Sequence, residues 1–184
     1  MYDNLTLTPH SLLCAAMIQT DLVRRHLTLG SLTAAGLALA GCAGRDPAPQ
    51  SRFLLVDGST LESSALLGKV RLVNFWATTC VTCVHEMPQL VSTYLKYRER
   101  GFETVAVAMN YDPPAWVANF ARTRQLPFKV ALDADGEIAR QWGDVKLTPT
   151  TFLVDKRGQV VKRYVGEPDF AALHQLLEQL LAEA

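Results

Sequence analysis

The segment VRLVNFWATTCVTCVHEMP, residues 70–88, is the most informative part of this chain. Its first seven residues are mostly aliphatic or aromatic, which predicts a strand buried on both faces of a sheet. From Met87 onward, apolar side chains recur at spacings of three and four, which predicts a helix that Pro88 should kink. Cys80 and Cys83 lie between these two elements. A strand, a C-x-x-C pair and a helix in this order predict a thiol-disulfide site.

The positions of the two cysteines predict different roles for them. Cys80 falls at the start of the helix, where unpaired backbone N–H groups favour a thiolate, so we expect it to attack substrate sulfur. Cys83 lies one turn further in and is expected to release the substrate from a mixed disulfide, which leaves a Cys80–Cys83 disulfide. Zinc would need two more ligands, and a c-type haem would need His in place of Val84. We therefore expect no metal and no cofactor besides the redox-active disulfide.

The remainder of the chain alternates between strand-like and helix-like segments. Turn residues at 57–58 and 155–158 predict two hairpins. Alternating strands and helices that end in a hairpin and a helix predict an α/β fold with a mixed central sheet and helices on both faces. Strands are predicted at 53–56, 59–61, 70–76, 104–109, 128–132, 151–154 and 160–164, and helices after Cys83 and at 113–124, 137–142 and 169–182.

The first fifty residues have the pattern of an export signal. A basic stretch, Arg24-Arg25-His26, precedes an uncharged segment at 27–40. As a helix this segment would be about 21 Å long, short of the roughly 30 Å hydrocarbon core of a membrane, so it predicts a secretory signal rather than a spanning helix. The sequence LAGC ending at Cys42 resembles the lipobox of bacterial lipoproteins, in which that cysteine is lipidated.

These features predict three segments. Residues 1–41 are a leader, whose true start is suspected to be Met17, and Cys14 would belong to that leader. Residues 42–52 are the lipidated cysteine and a tether rich in Pro, Gly and charge. Residues 53–184 form one domain, which is long enough to bury a hydrophobic core. We therefore expect a domain anchored to a membrane surface through lipid.

The charge balance excludes one class of partner. The chain has 184 residues, and 18 Lys and Arg balance 18 Asp and Glu. A net charge of zero provides no electrostatic attraction to phosphate backbones, so we expect no nucleic-acid partner.

The segment at 73–88 resembles the active-site segment of the TlpA/ResA-like family, which are thioredoxin-fold, membrane-tethered disulfide reductases. A second segment, KLTPTTFLVD at 146–155, resembles the family's other hallmark, a cis-proline before a strand. The resemblance implies that Pro149 is cis and faces the cysteines, and that the backbone of Thr148 pairs with substrate. It also implies a thioredoxin-like fold with an N-terminal hairpin at 53–61 and a helix-strand insert at 113–132.

The same resemblance implies further site residues. Glu86 matches the family's glutamate three residues after the second cysteine and is expected to act as an acid/base and tuning residue. We include Trp76 with Thr148 and Pro149 among the substrate-binding residues. The chain departs from the family at Thr79, where Trp is usual, and at Val81-Thr82, where Pro is common.

The function expected from these features is that of an extracytoplasmic, lipid-anchored protein-disulfide reductase of the bacterial periplasm or cell envelope. The resemblance implies a membrane thiol-disulfide electron transporter as donor, and clients in cytochrome c or copper-site maturation. The alternative is a copper-delivery protein using Cys80, Cys83 and His85, since thiolates and imidazole suit copper. A thiol peroxidase is disfavoured because Ala77 occupies the position of its usual Thr, and a binding module without turnover stays open.

Overall fold

The computed structural model describes residues 45–183. The predicted leader, the suspected start at Met17, Cys14 and the predicted lipidation site at Cys42 lie outside these residues. Within the described part, no helix combines the length and the apolar character needed to cross a membrane.

A seven-stranded sheet forms the centre of the domain, in the order β2-β1-β5-β4-β3-β6-β7. Strands β3, β4 and β5 run parallel, and all other neighbours are antiparallel, which confirms the predicted mixed sheet. The pair β1–β2 is the predicted N-terminal hairpin. The strands are β1 (Arg52–Leu55), β2 (Thr60–Glu62), β3 (Val70–Trp76), β4 (Phe102–Ala108), β5 (Lys129–Leu132), β6 (Thr150–Val154) and β7 (Val160–Val165).

Within residues 45–183, four α-helices connect and cover the strands. The longest, α1, continues through Pro88, which lies inside it. The last, α4, begins after Asp169, whose side chain accepts hydrogen bonds from the N–H groups of Ala171 and Ala172 and so caps the helix. The helices are α1 (Val81–Tyr97), α2 (Pro114–Thr123), α3 (Glu137–Gln141) and α4 (Phe170–Ala182).

The core has two layers because side chains alternate across the central strand β3. Leu72 and Trp76 point into a cluster with residues of α1, α2 and α4. Val73 and Phe75 point the other way, into a cluster with residues of α3. Every residue of β3 is buried, which confirms the prediction of a strand covered on both faces.

The segment at 45–51, predicted as part of a tether, is packed against the domain. Ala48 is buried and its N–H donates a 2.8 Å hydrogen bond to the carbonyl of Gly158. The guanidinium of Arg45 forms a 3.1 Å ion pair with the buried carboxylate of Asp155. These contacts lie at the turn between β6 and β7. Because β6 is antiparallel to β3, this turn is at the opposite end of the sheet from Cys80, which follows the carboxyl end of β3.

Candidate active site

Cys80 and Cys83 form a disulfide at the start of α1, with an S–S distance of 2.11 Å. Cys80 is the N-cap residue of the helix, and its sulfur accepts a 3.2 Å hydrogen bond from the N–H of Cys83. Cys80 is half-buried, whereas Cys83 is fully buried. Of the two cysteines, only Cys80 is therefore accessible to a partner protein.

The structure brings the second predicted segment to the disulfide. The peptide bond between Thr148 and Pro149 is cis, and the carbonyl oxygen of Thr148 lies 3.5 Å from the sulfur of Cys80. The chain enters β6 directly after Pro149, beside β3. Two segments far apart in sequence thus meet around one sulfur, and a half-buried backbone at Thr148 borders it.

Exposed apolar side chains surround this point. Val81, between the cysteines, is 85% exposed, and Leu147, next to Thr148, is 65% exposed. Tyr111 is also exposed, and its hydroxyl lies 3.3 Å from the side-chain oxygen of Thr148. An apolar rim around a reactive sulfur suits contact with an apolar stretch of another protein chain.

Glu86 is a fully buried carboxyl beneath the site. Its Oε1 accepts a 2.9 Å hydrogen bond from Nδ2 of Asn74, which also donates to the hydroxyl of Thr151 at 2.9 Å. The other oxygen, Oε2, has no partner among the described residues. The pKa of Glu86 is raised to about 7, mainly because the carboxyl is buried. The negative charge of Glu167 also raises this pKa, whereas the hydrogen bond from Asn74 lowers it. Such a carboxyl can both accept and release a proton near neutral pH.

Trp76, predicted to bind substrate, lies in the core and not at the surface of the site. Its side chain is fully buried, and its ring packs against Phe120 at a centroid distance of 5.1 Å. It points inward because it lies on the same face of β3 as Leu72, which is covered by α1, α2 and α4. A side chain in this position packs the core and is not placed to contact a substrate.

His85 is an exposed residue of α1 that contacts Glu167. Its Nδ1 lies 3.2 Å from Oε2 of Glu167, on the exposed surface. In residues 45–183, no group of three or more His, Cys, Asp or Glu side chains is arranged to hold a metal ion. The copper alternative, which needs His85 beside both sulfurs, receives no support from this arrangement.

The sequence interpretation missed Asp112 and Thr78. Asp112 follows β4 and is almost fully buried, and its carboxylate accepts two hydrogen bonds from Thr78, in the loop that leads to Cys80. The available signal was an acidic residue directly before a proline pair at the carboxyl end of a buried parallel strand. Ligand and catalytic residues concentrate at this edge of α/β sheets.

The chain is similar in sequence to known thiol-disulfide oxidoreductases. The Redoxin family matches residues 43–177 of the chain. The thiol-disulfide oxidoreductase ResA of Bacillus thuringiensis subsp. konkukian is 37% identical over 125 residues, which cover 68% of this chain and 71% of that protein. ResA of Bacillus subtilis (strain 168) is 35% identical over 127 residues, which cover 68% and 70% of the two chains.

Solved structures show the same architecture. A putative thioredoxin from Neisseria meningitidis has a TM-score of 0.71 and 35% identity, and the match covers 77% of this chain and 93% of that one. A putative thiol:disulfide interchange protein DsbE from Chlorobium tepidum has a TM-score of 0.68 and 32% identity, with coverage of 75% and 97%. The predicted thioredoxin-like fold is thereby confirmed. Sequence identity and fold together place this chain in the TlpA/ResA-like family of thiol-disulfide oxidoreductases.

Proposed function

We propose that this oxidoreductase is a reductase that transfers two electrons from Cys80 and Cys83 to disulfides of client proteins. The observation that carries the proposal is the half-buried sulfur of Cys80, which lies 3.5 Å from the backbone carbonyl of Thr148. A client chain that pairs with this backbone would bring its own disulfide to Cys80. Pro149 fixes the position of that backbone at the start of β6.

The reaction follows from the exposure of the two sulfurs. The thiolate of Cys80 attacks one sulfur of the client disulfide, and the other client sulfur leaves as a thiolate that takes up a proton. Cys83 then loses its proton, attacks the sulfur of Cys80 and releases the second client thiol. The client gains two electrons and two protons, and the protein is left with the Cys80–Cys83 disulfide.

Glu86 is the proposed acceptor of the proton of Cys83. Both residues are fully buried on the same helix, one turn apart, so solvent has no direct access to either. With a pKa of about 7, Glu86 is present in both protonation states at neutral pH. It can therefore take the proton as Cys83 attacks, and return it when the disulfide is reduced again.

We further propose an extracytoplasmic location with a lipid anchor at Cys42. The support is the order of basic stretch, apolar segment and lipobox-like sequence before residue 43. An oxidising compartment has no cytosolic thiol pool, so the disulfide must be reduced from across the membrane. The donor we propose is a membrane thiol-disulfide electron transporter, and the clients are apocytochrome c or copper-site proteins, as the family resemblance implies.

The deciding experiment is a measurement of the reduction potential of the Cys80–Cys83 pair. The full-length protein is equilibrated against thiol buffers, the free thiols are alkylated, and the alkylated fraction of Cys80 and Cys83 is measured. A potential at or below about −230 mV, in the range of thioredoxin and glutaredoxins, supports a reductase. A potential near about −120 mV is that of an oxidant and contradicts the proposed direction.

A further inference from the structure

The loop after β4 contacts two segments near Cys80, one that precedes it in the chain and one that precedes Pro149. Oδ2 of Asp112 accepts a hydrogen bond from the backbone N–H of Thr78 at 2.5 Å, and Oδ1 accepts one from the Thr78 hydroxyl at 2.6 Å. Asp112 is only 3% exposed. One residue earlier, the hydroxyl of Tyr111 lies 3.3 Å from the side-chain oxygen of Thr148. A single short loop thus links the segment before Cys80 with the segment before Pro149.

The contact with Thr78 restrains the segment that leads to Cys80. Thr79 is exposed, and within residues 45–183 the side chain of Asp112 is the only one that hydrogen-bonds residues 77–79. Hydrogen bonds to an ionised carboxylate are shorter and about twice as strong as those between neutral groups. At the positions where this family usually has Trp and Pro, the chain has Thr79 and Val81-Thr82.

We propose that Asp112 is a positioning residue of the thiol-disulfide reaction: by holding Thr78, it keeps the sulfur of Cys80 aligned with the carbonyl of Thr148, where the client chain pairs. This inference rests on the proposed function, in which the client reacts at Cys80 while it is held by Thr148. Tyr111, in the same loop as Asp112, contacts Thr148. Loss of the contact between Asp112 and Thr78 would let the segment before Cys80 move relative to Thr148.

If Asp112 aligns Cys80 with Thr148, loss of its contact should slow disulfide exchange more than alkylation. Exchange with a peptide disulfide requires the sulfur of Cys80 to be aligned with the backbone of Thr148. Alkylation of Cys80 by iodoacetamide requires only that its thiolate is free. A misplacement of ~1 Å can reduce a rate by ~100-fold when two groups must be oriented. A general loss of stability or a change in thiolate content would alter both reactions together.

The experiment compares four variants of the reduced full-length protein. Thr78→Val removes the hydroxyl donor without changing charge, and Thr78→Ser restores it. Asp112→Asn weakens the acceptor itself. The matched control is Asp133→Asn, because Asp133 is also buried and also accepts two hydrogen bonds, at 3.0 and 2.9 Å from the N–H groups of Ile138 and Ala139. Exchange with a disulfide-linked peptide dimer and alkylation by iodoacetamide are both timed.

We expect Thr78→Val and Asp112→Asn to slow peptide exchange about tenfold, with alkylation of Thr78→Val within about twofold of wild type. Thr78→Ser and Asp133→Asn should exchange at close to the wild-type rate. Equal exchange rates in wild type, Thr78→Val and Asp112→Asn would overturn the inference, and so would an equal slowing in Asp133→Asn. If the wild-type protein itself fails to exchange, the proposed function fails, which distinguishes the two results.

Discussion

Asn74 donates a 2.9 Å hydrogen bond from Nδ2 to Oε1 of Glu86, and this is the one side-chain hydrogen bond that the carboxyl receives from the described residues. The pair links the central strand β3 to α1 below the disulfide. A carboxylate with one partner and no solvent is poorly stabilised when ionised. For this reason the pKa of Glu86 is raised to about 7.

The substitution Glu86→Gln is expected to stabilise the oxidised protein, and to do so more as the pH rises. The folded-state pKa of about 7 is above the ordinary value of 4.5, so the folded protein binds the proton more tightly. This favourable contribution is complete below pH 4.5 and is lost as the pH rises through 7. The difference corresponds to about 3 kcal/mol in the free energy of unfolding. Denaturant unfolding at pH 4 and pH 8 measures it.

The control is Glu99→Gln, since the Glu99 side chain is 84% exposed and should change stability little at either pH. If the stability gain of Glu86→Gln were the same at pH 4 and pH 8, a buried proton on this carboxyl would be ruled out.

The substitution Asn74→Leu is expected to raise the pKa of Glu86 further. Leucine has no donor, and the hydrogen bond from Asn74 is what lowers the pKa of this carboxyl against burial. An NMR titration of protein with carbon-13 in the glutamate carboxyls would follow the change. An unchanged or lower pKa would show that Asn74 does not stabilise the ionised form.

The substitution Cys83→Ser is expected to trap a mixed disulfide between Cys80 and a peptide disulfide. Cys80 is half-buried and can attack, but the serine cannot displace the peptide afterwards. Intact mass spectrometry of the reduced variant should show the added mass of one peptide chain. The matched variant Cys80→Ser should show none, because Cys83 is fully buried. An adduct on Cys80→Ser would reverse the roles of the two cysteines.

The substitution Gly158→Ala is expected to destabilise the domain without slowing exchange. Gly158 has φ +82°, and an added Cβ would lie 3.1 Å from Cδ2 of Leu67 and 3.4 Å from Nη2 of Arg71. Gly58 has φ +85° and open space around it, so Gly58→Ala should cost only the backbone strain, about 1 kcal/mol.

Crowding should add about 1 kcal/mol at Gly158. Denaturant unfolding of both variants measures the difference, and equal losses would contradict the crowding argument. Exchange should be unaffected because Gly158 lies at the end of the sheet opposite Cys80.

Much of the fold followed from local patterns. Buried strands such as β3 appear in the sequence as short continuous apolar runs, and amphipathic helices such as α4 as apolar residues at spacings of three and four, so their type and order were predicted with small errors at the ends. The packing of 45–51 against the β6–β7 turn was not predicted. Its Pro, Gly and charged residues resemble a tether, and the burial of Ala48 depends on a partner more than a hundred residues away.

The thiol-disulfide chemistry could be predicted from the amino-acid sequence. The C-x-x-C spacing at a strand-to-helix junction identified both cysteines, and the family resemblance added Pro149 and Glu86. The groups that surround these residues became known only from the folded chain. The tertiary structure placed Trp76 in the core, because strand alternation turns it toward the helices. It also brought Asp112 to Thr78 across 34 positions of sequence, since parallel strands end at the same edge of a sheet and their following loops meet there.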